Sequence, residues 1–146
     1  MKIAIASDHA GIEAKAFVSA ELAKAGHLVA DLGPADAKSV DYPDYALKVS
    51  RAVAAGEAER GILICGTGIG MSMAANKVQG IRAAVCHDEF TSRMSRMHND
   101  ANVLCMGARL LANHRMADLA AIFLSTAFEG GRHCGRVGKI MVIEKR

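Results

Sequence analysis

The 146-residue sequence predicts an α/β fold, a single domain built as a doubly wound, Rossmann-like five-stranded parallel sheet with helices on both faces and a C-terminal extension. Three observations carry this expectation. Short apolar runs alternate five times with segments of helical periodicity, the order that produces right-handed βαβ units. The run Ile62-Leu63-Ile64 is apolar throughout, as a strand covered on both faces must be. Hydrophobic residues make up 51% of the chain and aromatics only 4%, so Ala, Val, Ile, Leu and Met must fill the core, which suits helices packed closely on a parallel sheet.

Residues 2–6 form the first strand, and Ser7-Asp8-His9-Ala10-Gly11 the loop after it. Residues 10–25 place Ile12, Ala16, Val18, Leu22 and Ala23 at helical spacing, and Gly26 ends that helix. A second strand over 28–32 is followed by a loop over 33–40. Asp41-Tyr42-Pro43-Asp44-Tyr45 opens a helix that runs to about residue 55, with Pro43 tolerated in its first turn. The third strand ends at Cys65, and a helix covers 71–77 beyond a glycine turn. Residues 81–86 read as the fourth strand, and 87–98 as a helix whose polar faces include Arg93 and Arg96. The fifth strand covers 102–106, and the last long helix covers 113–128, before Gly130-Gly131. In the tail, 132–146, Val137, Ile140 and Met141 share one face that calls for a partner subunit.

Composition narrows the function. A net charge of +3 is mild and there is no Trp, so aromatic platforms for single-stranded nucleic acid are missing and small anionic ligands fit better. No run approaches the roughly 18 to 20 apolar residues that cross a bilayer, which argues against a membrane span. The four cysteines, at 65, 86, 105 and 134, have no CxxC or metal-finger spacing, and the start is too quickly polar for a signal peptide, so a reduced cytoplasm is the expected setting.

The most informative stretch is Gly61-Ile-Leu-Ile-Cys-Gly-Thr-Gly-Ile-Gly-Met-Ser-Met-Ala-Ala-Asn-Lys77. A buried strand ends at Cys65, and Gly66, Gly68 and Gly70 let the backbone turn and approach a ligand. A helix start then points free N–H groups back into the turn. A lone cysteine is usually a small core hydrophobe. At this position its thiolate meets a helix N-terminus, and the same donors suit a neighbouring oxyanion. The turn also invites comparison with a dinucleotide fingerprint, with Asp88 as the ribose acid, but Met71 replaces the third glycine and the turn follows the third strand. No GK[ST] follows, so it is not a Walker loop.

Other candidates carry bland readings beside sharp ones. Asp8 and His9 suit a helix N-cap. His98, before Asn99 and Asp100, suits a helix C-terminus. Arg132 and Arg136, four apart, form either a solvated stripe or a cation pair for a phosphate dianion; His133 reads as a bystander, and Cys86 and Cys105 as packing.

Taken together, the chain resembles the type B ribose-5-phosphate isomerase family, which includes the galactose-6-phosphate isomerase subunits. The matching stretches are Ser7-Asp8-His9-Ala10-Gly11, Asp41-Tyr42-Pro43, Cys65-Gly-Thr-Gly-Ile-Gly70 with Ala74-Ala-Asn-Lys77, Ser95-Arg-Met-His-Asn-Asp-Ala-Asn102, and Glu129-Gly-Gly-Arg-His133 with Arg136-Val137.

The resemblance implies an aldose–ketose isomerase that uses neither metal nor organic cofactor and works on ribose 5-phosphate. Allose 6-phosphate, galactose 6-phosphate and tetrulose 4-phosphates are the alternative substrates, and a non-catalytic phosphosugar-binding module the alternative role. It implies Cys65 as base, His98 as ring-opening acid, and an enediolate held by the backbone of Gly66, Thr67, Gly68, Ile69 and Gly70 with the Thr67 hydroxyl nearby. Asp8 and Asn99 would bind sugar hydroxyls, Tyr42 would line the pocket, and His9, Arg109, Arg132 and Arg136 would take the phosphate. It also implies a homodimer, or a dimer of dimers, with sites at the subunit interface and the tail 130–146 packed on the partner.

Overall fold

Five strands pair in parallel, and the chain order of their neighbours explains where a ligand can sit. A computed structural model describes residues 1–144. The strands are β1 (Lys2–Ser7), β2 (Leu28–Asp31), β3 (Arg60–Cys65), β4 (Ala83–Val85) and β5 (Val103–Gly107), in the spatial order β2-β1-β3-β5-β4. The helices are α1 (Ile12–Lys24), α2 (Tyr42–Ala54), α3 (Ile69–Ala75), α4 (Glu89–Asn99), α5 (Asn113–Ser125) and α6 (Arg132–Ile143). The chain winds one way from β1 to β2 and the other way from β3 onward. A crevice therefore opens beyond the carboxyl ends of β1 and β3, the topological switch point of such sheets. The α/β, doubly wound expectation holds.

Alternation along the strands builds two cores. Ile3, Ile5, Ile62, Ile64, Leu104 and Met106 face α1 and α5, where Val18, Leu22, Met116, Leu119 and Phe123 meet them. Ala4, Ala6, Leu63, Cys65, Val103 and Cys105 face the other way, toward Ala46 and Val49 of α2 and Met71 and Ala75 of α3. Small residues on this second side let α2 and α3 lie close to the strand ends. Among the described residues no helix is long and apolar enough to cross a membrane.

Several boundaries shift from expectation by a residue or more, and at four of them the structure shows local features. Asp8 accepts the Ala10 N–H at 2.9 Å, so a 3-10 turn, His9–Gly11, precedes α1. The third helix starts at Ile69, inside the glycine turn, rather than at Met71. The fourth strand shrinks from 81–86 to three residues because the Asn102 side chain takes the Arg82 N–H at 2.8 Å and the Gly80 carbonyl at 2.8 Å. The fifth helix stops at Ser125 instead of 128, where the Ser125 and Thr126 hydroxyls donate to carbonyls one turn back and compete with the helical ladder. The segment from Arg132 is a helix, with Ile140 and Ile143 exposed; the last two residues of the expected tail, 145 and 146, lie outside the described residues.

Arg96 corrects the sequence reading most clearly. Instead of lining a polar face it is buried, 3% exposed, with its guanidinium over the Phe123 ring. Its Nη1 donates to Asp100 Oδ1 at 2.7 Å and to the Ala101 carbonyl at 2.6 Å. Asp100, at φ +45°, also accepts Arg82 Nη2 through its other oxygen at 3.1 Å. One carboxylate between two arginines thus locks the end of α4, immediately after His98 and Asn99. Asp100→Ala is expected to destabilise the chain by about 3 kcal/mol in urea denaturation, because Arg96 keeps a buried charge without its counter-ion. Asp100→Asn should cost about half as much, since asparagine tolerates the left-handed backbone.

Candidate active site

The end of β3 is pressed into place by glycines. At Gly68 φ is +80°, and a Cβ there would lie 3.1 Å from the Met106 backbone, so the turn rests directly on β5. A Cβ at Gly107 would lie 2.8 Å from Thr67 Cα, so the same close approach is needed from the other side. With the turn held down, the Gly68 N–H donates to Cys65 Sγ at 3.1 Å, and the Ile69 N–H to Thr67 Oγ1 at 3.3 Å. The thiol is 4% exposed, at the lip of the switch-point crevice. The N–H groups of Gly70 and Met71, in the first turn of α3, have no helical acceptor and point toward the same turn.

Other expected residues join Cys65 at this carboxyl edge. The Asp8 N–H donates to the Ile64 carbonyl at 3.1 Å, and a Cβ at Gly11 would lie 2.7 Å from that oxygen, so the Asp8–His9 turn is held against β3. His9 Nδ1 accepts the Val40 N–H at 3.4 Å, tying the loop over 33–40 to the site. The Tyr42 ring packs on Gly70, where a Cβ would come within 2.7 Å of it. The Arg109 guanidinium lies over Gly66, 3.2 Å from where a Cβ would be. His87, given no role from sequence, meets the Thr67 carbonyl at 3.1 Å through Nε2. Its place just after β4, at a strand's carboxyl end, was the available signal.

The remaining candidates form a second cluster. Because α4 runs antiparallel to the strands, its last residues, His98 and Asn99, come to the amino edge of the sheet. There the Asn99 carbonyl accepts Arg82 Nε at 3.2 Å, and the Asn102 carbonyl accepts the Gly61 N–H at the start of β3. From Gly61 to Cys65 the strand advances about 13 Å. One chain therefore brings Asp8, His9, Tyr42, Cys65, Gly66–Gly70 and Arg109 together, and places His98, Asn99, Arg132 and Arg136 at the opposite edge. His133, read from sequence as a bystander, stacks its ring on that of His98, with centroids 4.3 Å apart and planes 10° from parallel. Glu129 Oε2 stands 3.7 Å from Nε2 of each ring. Desolvation lowers the His133 pKa, with His98 and Arg132 adding to the effect.

Cys86 and Cys105 are buried as packing residues, and burial pushes both thiols up, Cys105 furthest. Only Cys65 pairs a thiol with the glycine turn.

Comparison with known proteins places this geometry. The profile of the Ribose/Galactose Isomerase family matches residues 3–140. The chain belongs to that family. It is 46% identical over 145 residues to ribose-5-phosphate isomerase B of Escherichia coli (strain K12), covering 99% of this chain and 97% of that protein. Identity to the putative sugar phosphate isomerase YwlF of Bacillus subtilis (strain 168) is 48% over 147 residues, covering 100% and 99%. The structure of ribose-5-phosphate isomerase B from Clostridium thermocellum superposes with a TM-score of 0.98 at 53% identity, covering 99% of this chain and 98% of that one. The Mycoplasma genitalium enzyme with bound ribulose-5-phosphate superposes at 0.94 with 43% identity, covering 99% and 97%. The family resemblance read from the motifs holds for the whole chain.

The family's glycine turn makes a direct stability prediction. Gly68→Ala combines a left-handed alanine with a clash against the β5 backbone, and is expected to cost about 3 kcal/mol in urea denaturation.

Proposed function

We propose that the chain interconverts ribose 5-phosphate and ribulose 5-phosphate as a homodimer, each site joining the carboxyl edge of one subunit to the amino edge of the other. The observation that carries this reading is the division of the family's motif residues between opposite edges of one sheet. Neither edge alone holds both a base and a ring-opening acid. The described part of the tail, 130–144, belongs with the amino edge in this arrangement and packs toward the partner. Membership in the isomerase family, and the relative that binds ribulose-5-phosphate, support the substrate. The four free cysteines fit a reduced cytoplasm.

In this mechanism the furanose opens first, since a ring cannot enolise. His98 of the partner subunit protonates the ring oxygen as the C1 hydroxyl gives up its proton and becomes the aldehyde. The Cys65 thiolate then removes the C2 proton, and the electrons move to O1 to give an enediolate. Backbone N–H groups along Gly66–Gly70 hold the developing charge; one such donor is commonly worth about 3 kcal/mol in the transition state. The Thr67 hydroxyl accepts the Ile69 N–H and keeps its own proton to donate to the substrate. Return of the proton from Cys65 to C1, with loss of the C2 hydroxyl proton and protonation of O1, yields the ketose. Asp8 and Asn99 bind sugar hydroxyls and Tyr42 closes the pocket. His9, Arg109, Arg132 and Arg136 take the phosphate, a dianion that guanidinium forks suit.

Proton NMR of ribose 5-phosphate in deuterated water tests the chemistry. Ribulose 5-phosphate should appear with deuterium at the reacting carbon, and Cys65→Ala should abolish both conversion and exchange. If the unaltered chain converts nothing, the six-carbon and four-carbon phosphates take ribose 5-phosphate's place. A second measurement tests the shared site. Cys65→Ala and His98→Asn, each inactive alone, should recover about a quarter of full turnover when co-refolded in equal amounts, because half the dimers then hold one intact site. No recovery would rule out sites made from two subunits.

A further inference from the structure

We propose that His98, Glu129 and His133 form a binding site for a transition-metal dication of the zinc type. The ligand atoms of the three side chains all lie within 4.8 Å of one another. Glu129 Oε2 is 3.7 Å from both His98 Nε2 and His133 Nε2, so both rings aim the same nitrogen at one carboxylate oxygen. Zinc bonds of 2.0–2.1 Å in a tetrahedron set ligand atoms about 3.4 Å apart. Two edges of the triangle are therefore within a few tenths of an ångström of that spacing. The third closes by turning the His98 ring, whose side chain is 37% exposed.

His133 supplies the second, independent observation. The residue is 3% exposed, and its Nε2 has no hydrogen-bond partner, an unusual state for a buried ring nitrogen. A metal ion would satisfy it. Burial and the neighbouring cations favour the neutral ring, which is the ligating form. Arg132 and Arg136 repel a dication, and Glu129 offsets part of that charge. Two imidazoles and one carboxylate suit zinc, copper or nickel and not magnesium or calcium, which prefer oxygen ligands.

A consequence rests on the function proposed above. A metal on His98 Nε2 occupies the lone pair that carries the proton for ring opening, so occupation silences the isomerase. The resemblance implies chemistry without a metal, and a metal at this position would act against it.

Cobalt(II) titration of the intact protein, followed by visible absorption, reads the site without reference to activity. One ion per chain with the intense bands of a tetrahedral nitrogen–oxygen set is expected. Affinity should fall tenfold or more in Glu129→Gln and in His133→Gln. Glu129 is exposed, so its variant keeps the test valid if the buried His133 variant fails to fold. Unchanged affinity in Glu129→Gln would overturn the site, as would thiolate-to-cobalt charge-transfer bands, which would place the metal on Cys65 or Cys134. In parallel, zinc should inhibit the unaltered enzyme at concentrations tenfold below those needed for Glu129→Gln, while magnesium has no effect. Metal bound at these residues with turnover intact would leave the site standing and would remove His98 from the acid's role, so the two readings fail separately.

Discussion

In a parallel sheet every crossover helix carries the chain back to the edge where the strands begin. That constraint organises this molecule. Groups at strand ends collect at the carboxyl edge, as Asp8, Cys65 and the glycine turn do. Groups at the end of a helix, as His98 and Asn99 are, must appear at the other edge. Within one sheet of this topology the two sets of groups stand at opposite edges.

Much of this was legible in the sequence, and the rest was hidden for identifiable reasons. Five βα units and the Cys65 turn follow from apolar runs and glycine spacing, which report local structure directly. The edges that hold Tyr42 and His98 follow once the strands are known to pair in parallel, since each crossover helix then starts at the carboxyl edge and ends at the amino edge. Arg96 was misread because helical periodicity records charge and not pairing: its burial depends on Asp100, in an uncommon backbone conformation, and on carbonyls thirty or fewer residues away. The His98–His133 stack was invisible for a similar reason, since it joins two helices separated by all of β5 and α5.

The Arg82–Asp100–Arg96 cluster holds the backbone at the end of α4, where the candidate residues His98 and Asn99 lie. Two arginines from different elements converge on one carboxylate at the turn after α4, and that turn fixes the last helical residues. Such a cluster contributes geometry more than net stability, since desolvating two guanidinium groups costs a large part of what their pairing returns.

At the outer margin of the sheet, the Asn76 side-chain amide donates to the Ala83 carbonyl at 2.9 Å and accepts its N–H at 2.8 Å. One residue thus imitates the strand that would otherwise pair there. With the outward groups of Ala83 already occupied, this three-residue edge strand offers a shortened template for another chain's backbone. On that side the sheet is blunted against growth by strand pairing, by one side chain rather than by a covering helix.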